Sequence, residues 1–326
     1  MKEKIKKIRF LRKIVKNIKI SNEYNNDRKQ FIKYYMDAGN TKEQLEYKMI
    51  FYSHSLEKGM TYDKLRPFGE KKIEILLNSL IKYNSNDYNI DSTAYKIGYN
   101  TLKKWSNIYA MNKFKRTNLN NLVDDFLKNN LCNEINVGKI EYNGHTKIKD
   151  FHFDYLEAIK TRHSVRKYKI KEITDDDFNY CVNAAILSPS ACNRQMCKVY
   201  YIKDAQKKKL VSESIMGLTG FDKESINLFL ITYDVSAFLF YGERNQGYFN
   251  SGLFAMNFVN AMHFKGIGSC LLQWSNTSKC EQNIKERLEI PNNEKIVVAI
   301  AAGYYNGVSN VPISPRKTCE EVSKIL

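Results

Sequence analysis

Apolar residues at Ile5, Ile8, Leu11, Val15 and Ile18 recur every three or four positions, with lysine and arginine between them. That spacing predicts an amphipathic helix with a strongly basic face. Its apolar stripe is expected to pack on the rest of the protein, with an anionic membrane surface as the competing partner. From Asp27 to about Phe126 the helical period continues. Tyr47, Ile50, Phe51 and His54 share one face, and Ile73, Leu76, Leu77 and Leu80 form another. Gly59 stands where a helix C-cap is expected, and Lys64 to Gly69, with Pro67, reads as a loop. Within His54 to Gly59, His54 and Glu57 read as a helical i, i+3 contact.

The stretch from Gly138 to Thr146 is turn-rich, with a short hairpin expected at Asn143-Gly144. The main boundary is therefore placed near residue 150, after a mostly helical region (1–150) and before a second domain (151–326). Beyond it, Asp154 to Lys160 reads as a helix. Thr174 caps another helix that runs towards Leu187, with Asp175 to Asp177 in its first turn, where carboxylates favour the helix dipole. Lys198 to Ile202, Asn227 to Tyr233 and Lys295 to Ala302 read as strands, the last two too apolar for a solvated edge. A long apolar helix is expected from about Gly247 to Phe264. The fold class is α+β, a mixed sheet covered by helices.

Composition narrows the picture. The 326 residues are 43% hydrophobic and 13% aromatic, which argues against wholesale disorder and allows a sizeable core. No apolar run approaches the roughly 18 to 20 residues that would span a bilayer. The basic start lacks an apolar segment and a small-residue cleavage site, so a cytoplasmic protein is expected. Seven cysteines are scattered without a framework, which points to reduced thiols and no metal site. The formal charge of +17 invites a nucleic-acid partner, but no recognition motif accompanies it. Heavy use of Lys, Ile, Asn and Tyr accounts for the charge, so no nucleic acid is expected.

Four segments carry candidate chemistry. Arg162-His163-Ser164-Val165-Arg166 supplies two guanidiniums and a hydroxyl within five residues, and alternation along an extended strand lets them address one anion. Ser188-Pro189-Ser190-Ala191-Cys192-Asn193-Arg194-Gln195 is a loop that offers hydroxyls and amides to a polar heterocycle. Gly266-Ile267-Gly268 follows the long helix as a turn that brings backbone close to a flat ligand. It is not a dinucleotide fingerprint, since the third glycine is missing and the glycines follow a helix. Arg316 adds a late cation. Each segment alone also reads as ordinary surface or loop.

In this order, together with Ala302-Gly303-Tyr304 at a strand end, these segments resemble the nitroreductase family across about residues 151 to 326. The resemblance implies an FMN-binding fold in an interlocked homodimer, with NADH or NADPH as electron donor. It implies a ping-pong cycle that passes electrons to a small electron-poor acceptor: a nitro compound, a quinone or a biosynthetic intermediate. Carried over, Arg162 and Ser164 hold the phosphate and ribityl end, helped by Arg316, and His163 lies at the phosphate end. Arg166 lies near the N1/C2 edge of the flavin, where a cation stabilises its reduced anion. Ser188, Pro189, Ser190 and Asn193 are implied to come from the partner subunit, with Gln195 following that motif. The backbone at Cys270 and Leu271 is implied to face the N5/O4 edge. No catalytic side chain is implied, because the flavin carries the chemistry.

Two departures stand out. Gln195-Met196-Cys197 replaces the family's Gln-Pro-Trp, and residues 1–150, including Arg66-Pro67-Phe68-Gly69, form an extension that the ordinary domain lacks. The alternative reading is a non-catalytic flavin-fold scaffold, or a membrane-surface protein acting through its basic N-terminal helix.

Overall fold

A computed structural model describes residues 2–60, 65–139, 155–215, 217–218, 221–306 and 318–326. The expected hairpin at Asn143-Gly144 and the cation Arg316 lie outside the described residues. The helices of the first region are α1 (Lys2–Tyr34), α2 (Lys42–Met60), α3 (Glu70–Ser85), α4 (Thr93–Met111) and α5 (Asn118–Asn129). Helices α2 to α5 share a core around Met49, Leu76, Leu80, Leu102, Trp105 and Val123, all buried. Each side chain comes from a helical stripe, so burial of apolar area holds the four helices together.

Two expectations for this region need correction. Gly59 lies inside the last turn of α2 and is not a cap beyond it. A Cβ there would meet the Phe68 ring at 2.6 Å, so the glycine makes room for the chain's return. Over residues 10–19 the apolar stripe does not pack on the protein, against the expectation. Phe10, Leu11, Ile14, Val15 and Ile18 are all exposed, because α1 is one continuous helix whose contacts, among the described residues, lie towards its C-terminal end. There Glu23 accepts from Ser278 N at 3.0 Å, Asp27 pairs with Lys295 at 2.6 Å, and Phe31 stacks on Phe238.

The second region contains α6 (Tyr155–Thr161), α7 (Asp175–Ile186), β1 (Cys197–Ile202), α8 (Ala205–Ser214) and β2 (Asn227–Asp234). These are followed by α9 (Gln246–Phe264), β3 (Ile267–Gln273), α10 (Ser278–Leu288), β4 (Glu294–Tyr304) and α11 (Cys319–Val322). Thr174 caps α7 as expected, accepting from Asp177 N at 3.3 Å. The strands form a sheet in the order β1-β2-β4-β3. Among the described residues the three strand pairings are antiparallel, where a mixed sheet was expected, and the one parallel element is an isolated bridge, Ser164 to Ser269.

Central strand β2 is buried along its whole length. One face of the sheet packs under α7 and α9 through Phe229, Ile231, Phe254, Phe258 and Ile300. The other packs around Leu228, Leu230, Val211, Ile284 and Ala301, against α8 and α10. A smaller cluster, including Met36, Tyr47, Met196, Tyr233 and Phe238, joins the helical region to the end of the sheet.

The segment Gly266-Ile267-Gly268, read as a turn, is mostly strand. Only Gly266 turns, with φ 68°, and Ile267 already pairs with Tyr304. The apolar run behind the glycines completes the sheet. Gly268 sits where Val165 crosses, so that a Cβ would lie 3.1 Å from Val165 Cβ and 2.9 Å from the Tyr305 ring.

Candidate active site

Residues 162–168 form a strap along the outer edge of β3. Val165 N donates to Ser269 O at 3.1 Å. Tyr168 is buried beneath it and donates to Val165 O at 2.6 Å and Ala301 O at 2.9 Å. Gly303 allows this approach, since a Cβ there would meet Tyr168 Cβ at 2.6 Å. A glycine in an apolar strand signals such close contact, so this seat was legible in the sequence as a position but not as a partner.

Two cations frame the strap. The Nε and Nη1 atoms of Arg162 are buried and have no hydrogen-bond partner among the described residues. A buried unpaired donor costs roughly 1–3 kcal/mol, and more when charged, so this guanidinium is poised for an acceptor. Arg166 is exposed, donates weakly to Ser164 O at 3.3 Å and stands over the Phe221 ring at 5.9 Å. Ser164 is half-buried, and His163 is exposed.

Side chains not singled out from the sequence complete this end. His263, on the last turn of α9, bridges Thr161 Oγ1 at 3.0 Å and Tyr305 Oη at 2.8 Å. Its pKa is lowered by burial first and then by the nearby Arg162 and His163, which favours a neutral ring using both nitrogens. Nothing in sequence spacing links His263 to Thr161, a hundred residues earlier.

Cys270 is buried on β3, and burial raises its thiol pKa despite Arg166 and a bond with Ser164, which argues against a nucleophilic role. Residues i and i+2 of a strand direct their backbone groups to the same edge. Because Ser269 O meets the strap, Leu271 turns its N–H and C=O to that same edge. No named strand pairs with β3 there among the described residues. The Leu271 side chain is 38% exposed. An unpaired backbone donor thus lies beside two guanidiniums and a hydroxyl, a set suited to a ligand with an anionic end and a polar flat end.

The second loop lies at the start of β1, the opposite outer strand. Ser188 Oγ accepts from Asn257 at 2.8 Å and donates to Leu253 O at 3.3 Å. Ser190 Oγ accepts from Gln195 N at 2.9 Å. Pro189, Asn193 and Gln195 are exposed. Cys192, Asn193 and Gln195 have φ of 52°, 53° and 53°, and such left-handed non-glycine residues concentrate at functional loops. Arg194, not singled out as a site residue, turns inward and is buried. It donates to Ala237 O at 2.5 Å and pairs with both carboxylate oxygens of Glu243 at 2.5 and 3.1 Å. This anchor holds its neighbours outward in the strained turn. β1 and β3 stand three interstrand spacings apart, roughly 14 Å, so one chain presents the loop and the strap at opposite edges.

Residues 159–304 match the family model described as the nitroreductase family. This segment of the chain belongs to the nitroreductase family. The matched nitroreductase segment runs from the end of α6 to the end of β4 and includes the strap, both outer strands and the loop. Two curated relatives carry the name "Putative NADH dehydrogenase/NAD(P)H nitroreductase". The one from Archaeoglobus fulgidus is 37% identical over 59 residues, 18% of this chain and 34% of the relative. The match thus spans about a third of that protein's length. The one from Methanothermobacter thermautotrophicus is 24% identical over 156 residues, 46% of this chain and 77% of the relative. A solved structure named as an FMN-dependent nitroreductase from Clostridium difficile R20291 shares 21% identity. It aligns with a TM-score of 0.41 over 48% of this chain and 91% of its own. Helices α1 to α5 all lie outside the matched family segment.

Proposed function

We propose that the chain is an FMN-dependent oxidoreductase of nitroreductase type. The observation that carries this reading is the pair of buried, unpartnered nitrogens on Arg162, set in the strap of a nitroreductase-family domain. Arg162 and Ser164 would hold the FMN phosphate and ribityl chain, with Arg316 assisting. Forked guanidinium donors match a phosphate dianion better than an ammonium does. His163 would lie at the same end. Arg166 would stand by the N1/C2 edge and stabilise negative charge there. The Leu271 N–H, on the open edge beyond Cys270, would meet the N5/O4 edge.

Bound FMN would supply the redox chemistry, taking electrons from NADH or NADPH and passing them in a ping-pong cycle to a small electron-poor acceptor. The chain's own work is to orient donor and acceptor and to exclude water.

The loop at Ser188, Pro189, Ser190, Asn193 and Gln195 would serve the flavin of a second copy, because it lies at the opposite sheet edge from the strap. Exposed apolar surface at the end of α7 and on α9 supports a homodimer. It includes Leu187 at 82% exposure and Phe249 at 62%, more than isolated surface apolar residues would explain. In this reading residues 1–150 are an added helical region and 151–326 the catalytic domain.

An absorption spectrum of the purified chain, before and after anaerobic NADH and NADPH, tests the proposal. Flavin bands that bleach are expected. A colourless protein that gains no bands on incubation with FMN would favour the scaffold reading.

A further inference from the structure

The first half of α1 leaves the body of the protein. The last anchors of the helix are the bonds of Glu23 to Ser278 and Asp27 to Lys295. Phe10 lies thirteen residues before Glu23, roughly 20 Å further along a helix rising 1.5 Å per residue. Over residues 10–19 every side chain is exposed. Among them are Phe10 at 64%, Leu11 at 52%, Val15 at 51% and Ile18 at 54%. At 3.6 residues per turn Phe10, Leu11, Ile14, Val15 and Ile18 fall within an arc of roughly 140°, while Arg12, Lys13, Lys16 and Lys19 occupy the other side. Such a helix gains little from its own propensity in water, and nothing among the described residues covers its apolar arc.

We propose that this segment docks on an anionic phospholipid surface, with the apolar arc entering the headgroup boundary and the basic side chains meeting lipid phosphates. Charge decides the occupant. Nine lysines and arginines stand in residues 1–20 against one acid, Glu3. A second copy of the helix would bring like charge against like charge, whereas an anionic bilayer satisfies both faces at once. A nucleic acid would meet the cations but leave the apolar arc in water. No helix among the described residues is long and apolar enough to cross a membrane, so the contact is interfacial.

Flotation of the full chain with vesicles tests this. The chain is expected to rise with vesicles of phosphatidylcholine and phosphatidylglycerol at low salt, and to stay down with pure phosphatidylcholine. Two triple variants separate the terms: Leu11→Ser/Ile14→Ser/Ile18→Ser keeps the charge, and Lys13→Gln/Lys16→Gln/Lys19→Gln keeps the apolar arc. The serine variant is expected to lose flotation. The glutamine variant should lose about fivefold in partitioning per charge removed. Unchanged circular dichroism would confirm that each variant is folded. Failure of the wild-type chain to float on anionic vesicles would overturn the proposal, as would equal flotation on neutral ones. It would also fall if the serine variant sediments as a smaller species than the wild type, because the face would then be an interface between copies.

Discussion

Arg194 and Glu243 form a two-pronged ion pair at the base of the candidate loop, with the guanidinium buried and the carboxylate mostly covered. Phe51 of α2 and Phe238 lie 5.6 and 5.7 Å from the guanidinium carbon. The pair therefore ties the helical region to the domain that carries the site. Burial pushes the Glu243 carboxyl up, but the Arg194 bond and the backbone N–H groups of Leu239 and Phe240 outweigh it and hold it below its ordinary value.

Breaking this pair should be costly. Arg194→Ala leaves a covered carboxylate without its cation and empties a packed space, so a loss of roughly 3–5 kcal/mol is expected. Arg194→Lys should recover only part, since an ammonium cannot make the forked contact. Urea titrations of the two variants check this. A loss under 1 kcal/mol for the alanine variant would show that the pair contributes no more than an exposed one.

Arg162→Ala should behave in the opposite way. Its Nε and Nη1 hold no partner among the described residues, so the fold should tolerate the change. FMN affinity should fall roughly 10- to 100-fold, the loss of one or two charge-assisted bonds. Flavin fluorescence titration measures the dissociation constant beside a thermal melt. Unchanged affinity would remove Arg162 from the proposed site.

Asp234 offers a pH test. Burial raises its carboxyl from 3.8 to about 6, against bonds from Ser236 and Asn293 and the charge of Lys198. The folded chain thus binds this proton more tightly than the unfolded chain, and the group's contribution to stability falls as pH rises from about 4 to about 6. Above that window the cost is constant at roughly 3 kcal/mol. Asp234→Asn keeps an acceptor for Ser236 N, now made at 2.8 Å, without the buried charge. It should therefore be more stable than wild type at pH near 8, with the advantage shrinking towards pH near 4. An advantage independent of pH would contradict the assignment.

Gly268→Ala probes the seat of the strap. The added methyl would press on Tyr305 and Val165, and overpacking of this kind costs roughly 1–3 kcal/mol. Because Val165 lies between Ser164 and Arg166, FMN binding should weaken along with stability. Thermal melts with and without FMN separate the two effects, and a neutral result on both would mean that the strap yields freely.

Much of this protein was legible along the chain. The helical stripes that became α2 and α3, the helical period up to about Phe126, the Thr174 cap and the apolar runs of β1, β2 and β4 are local patterns, and local burial periods report them. The grouping of two guanidiniums and a hydroxyl in Arg162-His163-Ser164-Val165-Arg166 was visible too, because it is a local property of the sequence. Other features were not local. Gly268 looked like part of a turn because a glycine's partner across a sheet, here Val165, is far away in sequence. Arg194 resembled its exposed neighbours until Glu243 and Phe238 were brought around it. The first stripe of α1 was amphipathic by sequence, but only the helix's anchoring at Glu23 and Asp27 decided that the stripe stays uncovered. Period and composition determine what a segment can bury, whereas which surface reaches it depends on contacts between residues far apart in the chain, and these exist only after folding.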